Sequence, residues 1–220
     1  MNRPLIILGA SGNALDIFDV VDAINAQSPN WQIVGLLDDA RQSGSLFEGA
    51  AILGRLSDAR KFEDAWFMCA IGSDRSFRQR PRIVSETGLS PTSFATLVHP
   101  LAAVSPRAAL GRGVCVNAGV SIAGNVVVGD GAWLGAGSIV GHDSVIGEHA
   151  ILAPASVVSG QCQIGGNCYI GVAAAVRQKV RIGAGALIGM GAMVLRDVEP
   201  GAMVVGNPAR LLERSIPASA

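Results

Sequence analysis

The chain has 220 residues, and its 17 basic and 17 acidic side chains cancel to a formal net charge of +0. No Lys/Arg-rich run breaks that balance, so the electrostatic footprint of a nucleic-acid or anionic-lipid binder is absent. Half of the residues are hydrophobic, but no apolar stretch reaches the roughly 18 residues of a membrane span without a glycine or a charge. Neither nucleic acid nor membrane insertion is therefore expected.

The N-terminus, Met1-Asn2-Arg3-Pro4, leads into only four apolar residues before a glycine. That is too short for the apolar segment of a secretion signal, and a cytoplasmic location is expected. Leu5-Ile6-Ile7-Leu8 reads as a buried strand, Gly9-Ala10-Ser11-Gly12-Asn13 as a turn, and Ala14 to Ile24 as a helix with Leu15, Ile17, Phe18 and Val21 on one face. Trp31 to Leu37 reads as a second strand ending in Asp38-Asp39, and Ala65 to Ile71 as a third ending in Gly72-Ser73-Asp74. Helical segments are expected around Ser57 to Phe62 and Arg75 to Glu86. Alternation of this kind predicts a small parallel α/β sheet, with ligands at the carboxyl ends of its strands.

The first turn lacks the G-x-G-x-x-G spacing of a dinucleotide site, which argues against a dehydrogenase. The acidic pair after the second strand suits the hydroxyls of a sugar or the N–H groups of a base, as well as a simple strand-to-loop cap. A nucleotide-bearing substrate is the physical suggestion.

After His99-Pro100 the grammar changes. Stepping by six from Val104 to Val194 meets sixteen positions, all aliphatic. The residue just after each is Ser, Gly, Asn or Ala in fourteen of them, and the residue four after is always Ala, Val, Ser or Cys. A unit with one large and one small inward residue suits a short strand and a corner, three units closing one triangular coil of a parallel β-helix. Gly or Asn just after the aliphatic residue is expected to supply a positive φ at each corner. The phase holds from residue 104 to 199 without insertion, so no long loop leaves the coils.

The four cysteines form no C-x-x-C pair and read as reduced, structural thiols. Histidines and cysteines show no ligand spacing, and no metal is expected.

The repeat, the ending Asp197-Val198-Glu199-Pro200-Gly201 and Val205-Gly206-Asn207-Pro208-Ala209-Arg210, and the corner Gly141-His142-Asp143 resemble the hexapeptide-repeat acyltransferases. With the Gly-Ala-Ser-Gly turn, the Leu-Asp-Asp and Ala-Ile-Gly strand ends and His99-Pro100, almost the whole chain resembles the sugar O/N-acetyltransferases of the sialic acid and bacillosamine type.

That resemblance implies an α/β N-terminal domain followed by a left-handed parallel β-helix, assembled as a homotrimer with active sites between subunits. It divides the chain into residues 1–98 for a nucleotide-sugar, 99–200 for the acetyltransferase β-helix, and a tail at 201–220 near coenzyme A. Acetyl-CoA is the implied co-substrate, and the acceptor is the amine of a nucleotide-linked amino-deoxy sugar. His142 matches the family's general base and Asp143 its acidic neighbour, while Ser11, Gly12, Asn13, Asp38, Asp39 and Gly72 match the substrate positions. Main-chain groups near Gly160, Val172 and Met190, with Arg210, match the coenzyme groove, where Arg177 and Lys179 stand as candidate phosphate partners or solvated surface charges.

Three residues depart from the family pattern: Asn13 and Ile151 stand where many relatives carry histidine, and Gly135 where asparagine is frequent. Two histidines remain, His99 in the linker and His149 two positions before Ile151. O-acetylation of a free sugar uses the same parts, and a catalytically silent β-helix scaffold is the alternative outside enzymes.

Overall fold

The computed structural model describes residues 2–212; residues 213–220 of the expected coenzyme-proximal tail lie outside the described residues. The N-terminal region begins with β1 (Arg3–Leu8), α1 (Gly12–Gln27) and β2 (Trp31–Leu37). A hairpin follows, β3 (Leu46–Phe47) and β4 (Ala50–Gly54), then β5 (Trp66–Cys69) and α2 (Arg80–Glu86). The sheet order is β3-β4-β2-β1-β5, with β1 parallel to both β2 and β5. Leu5, Ile6, Ile7 and Leu8 are wholly buried, which is why a strand covered on both faces reads as an unbroken apolar run.

The sequence reading differs here in extent. The helix expected from Ala14 starts earlier and runs to Gln27. The segment at Ser57 to Phe62 is a 3₁₀ turn, Leu56–Lys61, and Arg75 to Glu86 divides into a 3₁₀ turn at Phe77–Gln79 and α2. The β3–β4 hairpin was not expected; its turn, Glu48-Gly49, has both residues at positive φ, as a tight two-residue hairpin requires.

From Leu97 the chain forms two-residue strands that stack into three flat parallel faces. The first face runs from Ala103–Val104 to Met193–Val194 and the second from Ala109–Leu110 to Arg181–Ile182. The third runs from Leu97–Val98 to Met203–Val205, where Arg210–Leu211 adds an antiparallel edge. Each strand pairs with the one 18 residues on, as Ile122 with Val140 and Val140 with Val158. The second residue of each pair points inward, so the stepped aliphatic positions and the small residues four after them fill one continuous core. The last coil is two residues short: Val198 bridges Ile182 and Met203 pairs with Leu187. The six-residue phase thus ends at Val194.

The corners correct the expectation for glycine. Positive φ recurs every six residues from Gly113 to Gly191, at the third residue after each aliphatic position, and is adopted there by Asn125, Asp143, His149, Ala155 and Ala173 among others. The glycines immediately after the aliphatic position serve clearance instead. A Cβ on Gly129 would stand 2.7 Å from the backbone nitrogen of Glu148, and one on Gly135 2.7 Å from that of Pro154. All five corners after the second face carry glycine at this position, from Gly111 to Gly183.

The outward residues of the third face, Leu97, Cys115, Trp133, Ile151 and Leu187, are buried against Leu5, Ile7, Ile17, Met68 and Phe77. The α/β region therefore covers one face of the prism, and the corner between the first and second faces lies on the opposite side. Among the described residues, no helix is long and apolar enough to cross a membrane.

Candidate active site

Two separate groups of side chains stand where chemistry is expected. The first gathers at the carboxyl ends of β1, β2 and β5. The Gly9 N–H donates to Leu37 O (2.8 Å) and the Ala70 N–H to Leu8 O (2.9 Å), drawing the three strand ends together. Asn13 then crosses from the first turn of α1 and donates its amide to Ala70 O (3.0 Å) and Gly72 O (2.8 Å). Ser11 holds the N-cap position of α1 without using its hydroxyl as a cap, and with Gly12 it is exposed. The uncapped helix N-terminus offers N–H groups and a positive dipole end to an anion.

Asp38 is engaged by main chain: Oδ2 accepts from Ala10 N (2.7 Å) and Oδ1 from Ala40 N (2.8 Å). Asp39 accepts from Leu56 N (3.0 Å) through Oδ1 and is exposed. Arg41, which the sequence reading passed over, donates from Nε to Ala10 O (3.2 Å) and lies 4.8 Å over the Phe47 ring. A basic residue two positions after the acidic pair was the available signal. Gly72 has φ +154, and a Cβ there would meet Ile151 Cδ1 at 2.5 Å, so this strand end rests on the prism.

The second group is on the opposite corner. His142 and Asp143 are both exposed, and Nδ1 of the imidazole lies 2.7 Å from Asp143 Oδ2. A carboxylate only accepts, so Nδ1 is the donor, and in the neutral ring the lone pair then lies on Nε2. The hydrogen bond from His142, followed by one from the Asn125 amide, holds the Asp143 carboxyl below its usual range. Gly160 is one coil further on, its position for a Cβ only 2.8 Å from His142 Nε2. Arg177 and Lys179 follow on the next coil, exposed, with Lys179 N donating to Gly160 O (3.0 Å).

Val172 and Met190 lie 18 residues apart on the corner between the third and first faces, 40% and 76% exposed. They form an apolar ledge across the first face from Gly160. Arg210 is exposed on the short edge strand, its Nη1 donating to Ala209 O (3.0 Å). Ile151 is buried beneath the α/β region. His149 lies on the corner between the second and third faces, away from His142. Burial pushes its imidazole down to about 4, helped by the nearby Arg80 charge and opposed by Asp130.

Arg80 itself is wholly buried. Its guanidinium donates to Ile71 O and to Gly131 O (3.0 Å), joining the end of β5 to the prism. A cavity of about 400 Å³ opens beside it, lined in part by Arg112, Asp130, Glu148 and His149; it reaches Cys69 at the end of β5 but not His142, Ser11, Asn13, Asp38, Asp39 or Gly72.

The cysteines are poorly placed for covalent acyl transfer. All four cysteines are buried; burial pushes the Cys115 thiol up to about 12 and raises those of Cys162 and Cys168, and a protonated thiol does not attack. Among the described residues no group of three or more His, Cys, Asp or Glu is placed to hold a metal ion.

Residues 4–85 match the family described as PglD N-terminal domain, and residues 125–160 match bacterial transferase hexapeptide (six repeats). The acetyltransferase domain of PglB from Neisseria gonorrhoeae FA1090 is 30% identical, with 96% of this chain and 100% of that chain covered and a TM-score of 0.82. The same domain has been solved in complex with acetyl coenzyme A. PerB from Caulobacter crescentus, solved in complex with CoA and GDP-perosamine, is 29% identical, with 96% of this chain and 97% of that chain covered and a TM-score of 0.82. A curated relative, the uncharacterized protein L142 of Acanthamoeba polyphaga mimivirus, is 26% identical over 107 residues, and the match spans 20% of its length.

Proposed function

We propose a function from one premise: this chain belongs to the hexapeptide-repeat sugar acetyltransferases, in which a PglD-type N-terminal domain precedes a left-handed parallel β-helix. It transfers an acetyl group from acetyl-CoA to the amine of a nucleotide-linked amino-deoxy sugar. The observation that carries this reading is the His142–Asp143 pair at 2.7 Å on an exposed corner, with Nε2 free to accept a proton.

His142 acts as general base. As the sugar nitrogen bonds to the thioester carbonyl carbon, Nε2 takes the amine proton and a main-chain N–H meets the oxyanion. The carbon–sulfur bond then breaks, and the coenzyme leaves as a thiol with the proton returned from His142. The burial of all four cysteines and the raised thiols of Cys115, Cys162 and Cys168 support direct transfer in a ternary complex.

The nucleotide-sugar is held at the strand ends: Ser11, Gly12 and Asn13 at its phosphates or sugar, Asp39 at its nucleoside, with Asp38 and Gly72 shaping the turn. The exposed Val172–Met190 ledge fits the apolar arm of coenzyme A, main-chain groups at Gly160 line its course, and Arg210 fits its phosphates. Residues 1–98 thus serve the acceptor, 99–200 the transfer, and 201–220 the donor. PerB supports this class of acceptor, having been solved with GDP-perosamine.

Within one chain the strand ends lie against the third face and His142 on the corner opposite. A nucleotide-sugar held by one copy therefore needs the histidine of another, which supports a homotrimer with its active sites between subunits. The exposed first-face residues Ile139 and Met193 and second-face residues Val127 and Val145 are apolar surface that such an assembly would cover.

The test is thiol release from acetyl-CoA with GDP-, UDP- and dTDP-linked 4-amino-4,6-dideoxy sugars, for the native protein and His142→Ala. Turnover with one amine that falls by orders of magnitude in the variant is expected. Thiol release with free sugars alone would point to O-acetylation, and none with any acceptor to a scaffold.

A further inference from the structure

We propose that Asn125 is a positioning residue of the catalytic pair, holding Asp143 in the one orientation that serves His142; this rests on the reading of His142 as the base. Asn125 and Asp143 occupy the same corner position in successive coils, at φ 62 and φ 57. The Asp143 N–H donates to Gly124 O (3.1 Å), so the two corners are fixed in register by the backbone. From that footing the Asn125 amide donates from Nδ2 to Asp143 Oδ1 at 2.9 Å. Asp143 Oδ2 receives Nδ1 of His142 at 2.7 Å.

Each carboxylate oxygen thus has its own donor, one from the coil below and one from the imidazole. The arrangement matters because the Asp143 side chain is 44% exposed. Nothing encloses it, and water competes for both oxygens; with the amide removed, the carboxylate rotates and Nδ1 loses a fixed acceptor. The imidazole then samples other rotamers, and Nε2 is less often aimed at the substrate. Asparagine suits the place twice, since it tolerates the left-handed backbone as few residues do and also carries a donor. The charged groups along this corner are Arg107 one coil below Asn125, beside Gly124, Arg177 and Lys179 on the coil beyond Gly160, and Arg196 and Asp197 on the last coil.

Two substitutions separate the side chain from the backbone. Asn125→Gly removes the amide and keeps a residue at ease with positive φ. Asn125→Asp keeps the shape and replaces the donor by a second carboxylate, whose charge favours the protonated form of the pair. Asn125→Gly is expected to lower kcat by about fivefold to tenfold while KM for both substrates and the Tm stay near native values. Asn125→Asp is expected to lower kcat further and to move the acid limb of the pH–rate profile upward by about half a unit or more. If both variants keep the native kcat and pH profile while His142→Ala is inactive, Asn125 has no positioning role and the base assignment stands. If His142→Ala is itself active, the base assignment fails and this inference with it.

Discussion

Gly160 leaves open the space into which the imidazole of His142 leans: a Cβ on residue 160 would stand 2.8 Å from Nε2 and 3.1 Å from Cε1. No positive φ holds this glycine, so alanine fits the backbone and disturbs only the ring. Gly160→Ala should reduce kcat by about tenfold or more, because Nε2 is displaced from its line of attack. Kinetics and thermal unfolding run together check this; native kcat in a variant of native Tm would remove the role assigned to the gap.

The Asp143 carboxyl is held below its usual range, first by His142 and then by Asn125. A group of this kind is ionised in the folded protein through neutral and mildly acidic pH, and its contribution is lost only as the pH falls through the lowered value. Asp143→Asn keeps the left-handed corner but offers an amide where Nδ1 needs an acceptor. A kcat loss on the order of 100-fold at neutral pH is expected, through the wrong imidazole tautomer. A loss below threefold would show that the tautomer is set by something else.

His149 behaves oppositely to a histidine with an acidic partner. Its folded value of about 4 lies below the ordinary 6.5 of a histidine, chiefly through burial. Between those two values the unfolded chain takes up a proton that the folded chain refuses. Stability is therefore full above about pH 6.5 and declines as the pH falls toward 4, by about 1 kcal/mol at pH 5 once the partly exposed ring is allowed for. His149→Asn, which suits φ 56 at this corner, should flatten that decline. Urea midpoints at pH 7 and pH 5 measure it, and parallel slopes for both proteins would disprove it.

Arg80→Met removes the clamp between Ile71 O and Gly131 O. Two part-buried carbonyls lose their donor, which costs about 2 to 3 kcal/mol, a fall in Tm on the order of 10 °C for a chain of this size. KM for the nucleotide-sugar should rise more than KM for acetyl-CoA, since the Ile71–Gly72 turn belongs to the strand ends. An equal change in both would place Arg80 outside acceptor binding.

Ala155 and Ala173 are exposed residues held at φ 58 and φ 55. Glycine adopts that backbone without the Cβ conflict that alanine carries, an advantage of about 1 kcal/mol per site less the entropy of the freer chain. Ala155→Gly and Ala173→Gly should each raise Tm by about 2 °C, whereas Gly129→Ala should lower it, because its Cβ meets the next coil. Calorimetry on the three variants tests both halves of the corner argument.

The prism was legible because its period is enforced at every step: the residues from Val104 to Val194 point inward, and a polar residue at any of them would be buried without a partner. The reason for glycine after each aliphatic residue was misread, since one sequence shows that a Cβ is unwelcome but not whether the φ angle or the neighbouring coil forbids it. The β3–β4 hairpin escaped notice because Leu46 and Phe47 are too few to show a period. His142 and Asp143 were legible as neighbours. Asn125 was missed because it lies 18 residues from Asp143, a distance that becomes contact only once the coil length is applied as a rule for pairing side chains. The engagement of both Asp38 oxygens by Ala10 and Ala40 could not be read, because main-chain partners leave no trace in residue type.

The 18-residue spacing also makes the prism a ruler. Neighbouring strands stand about 4.8 Å apart, so the height from the His142 corner to the C-terminal edge strand is counted in whole coils. Removing one residue between them would turn every later inward side chain outward. Removing residues 162–179 would keep the register and bring Arg210 one step, about 4.8 Å, nearer to His142. The reach available to a donor spanning those two points is therefore quantised, and evolution can alter it only a full coil at a time.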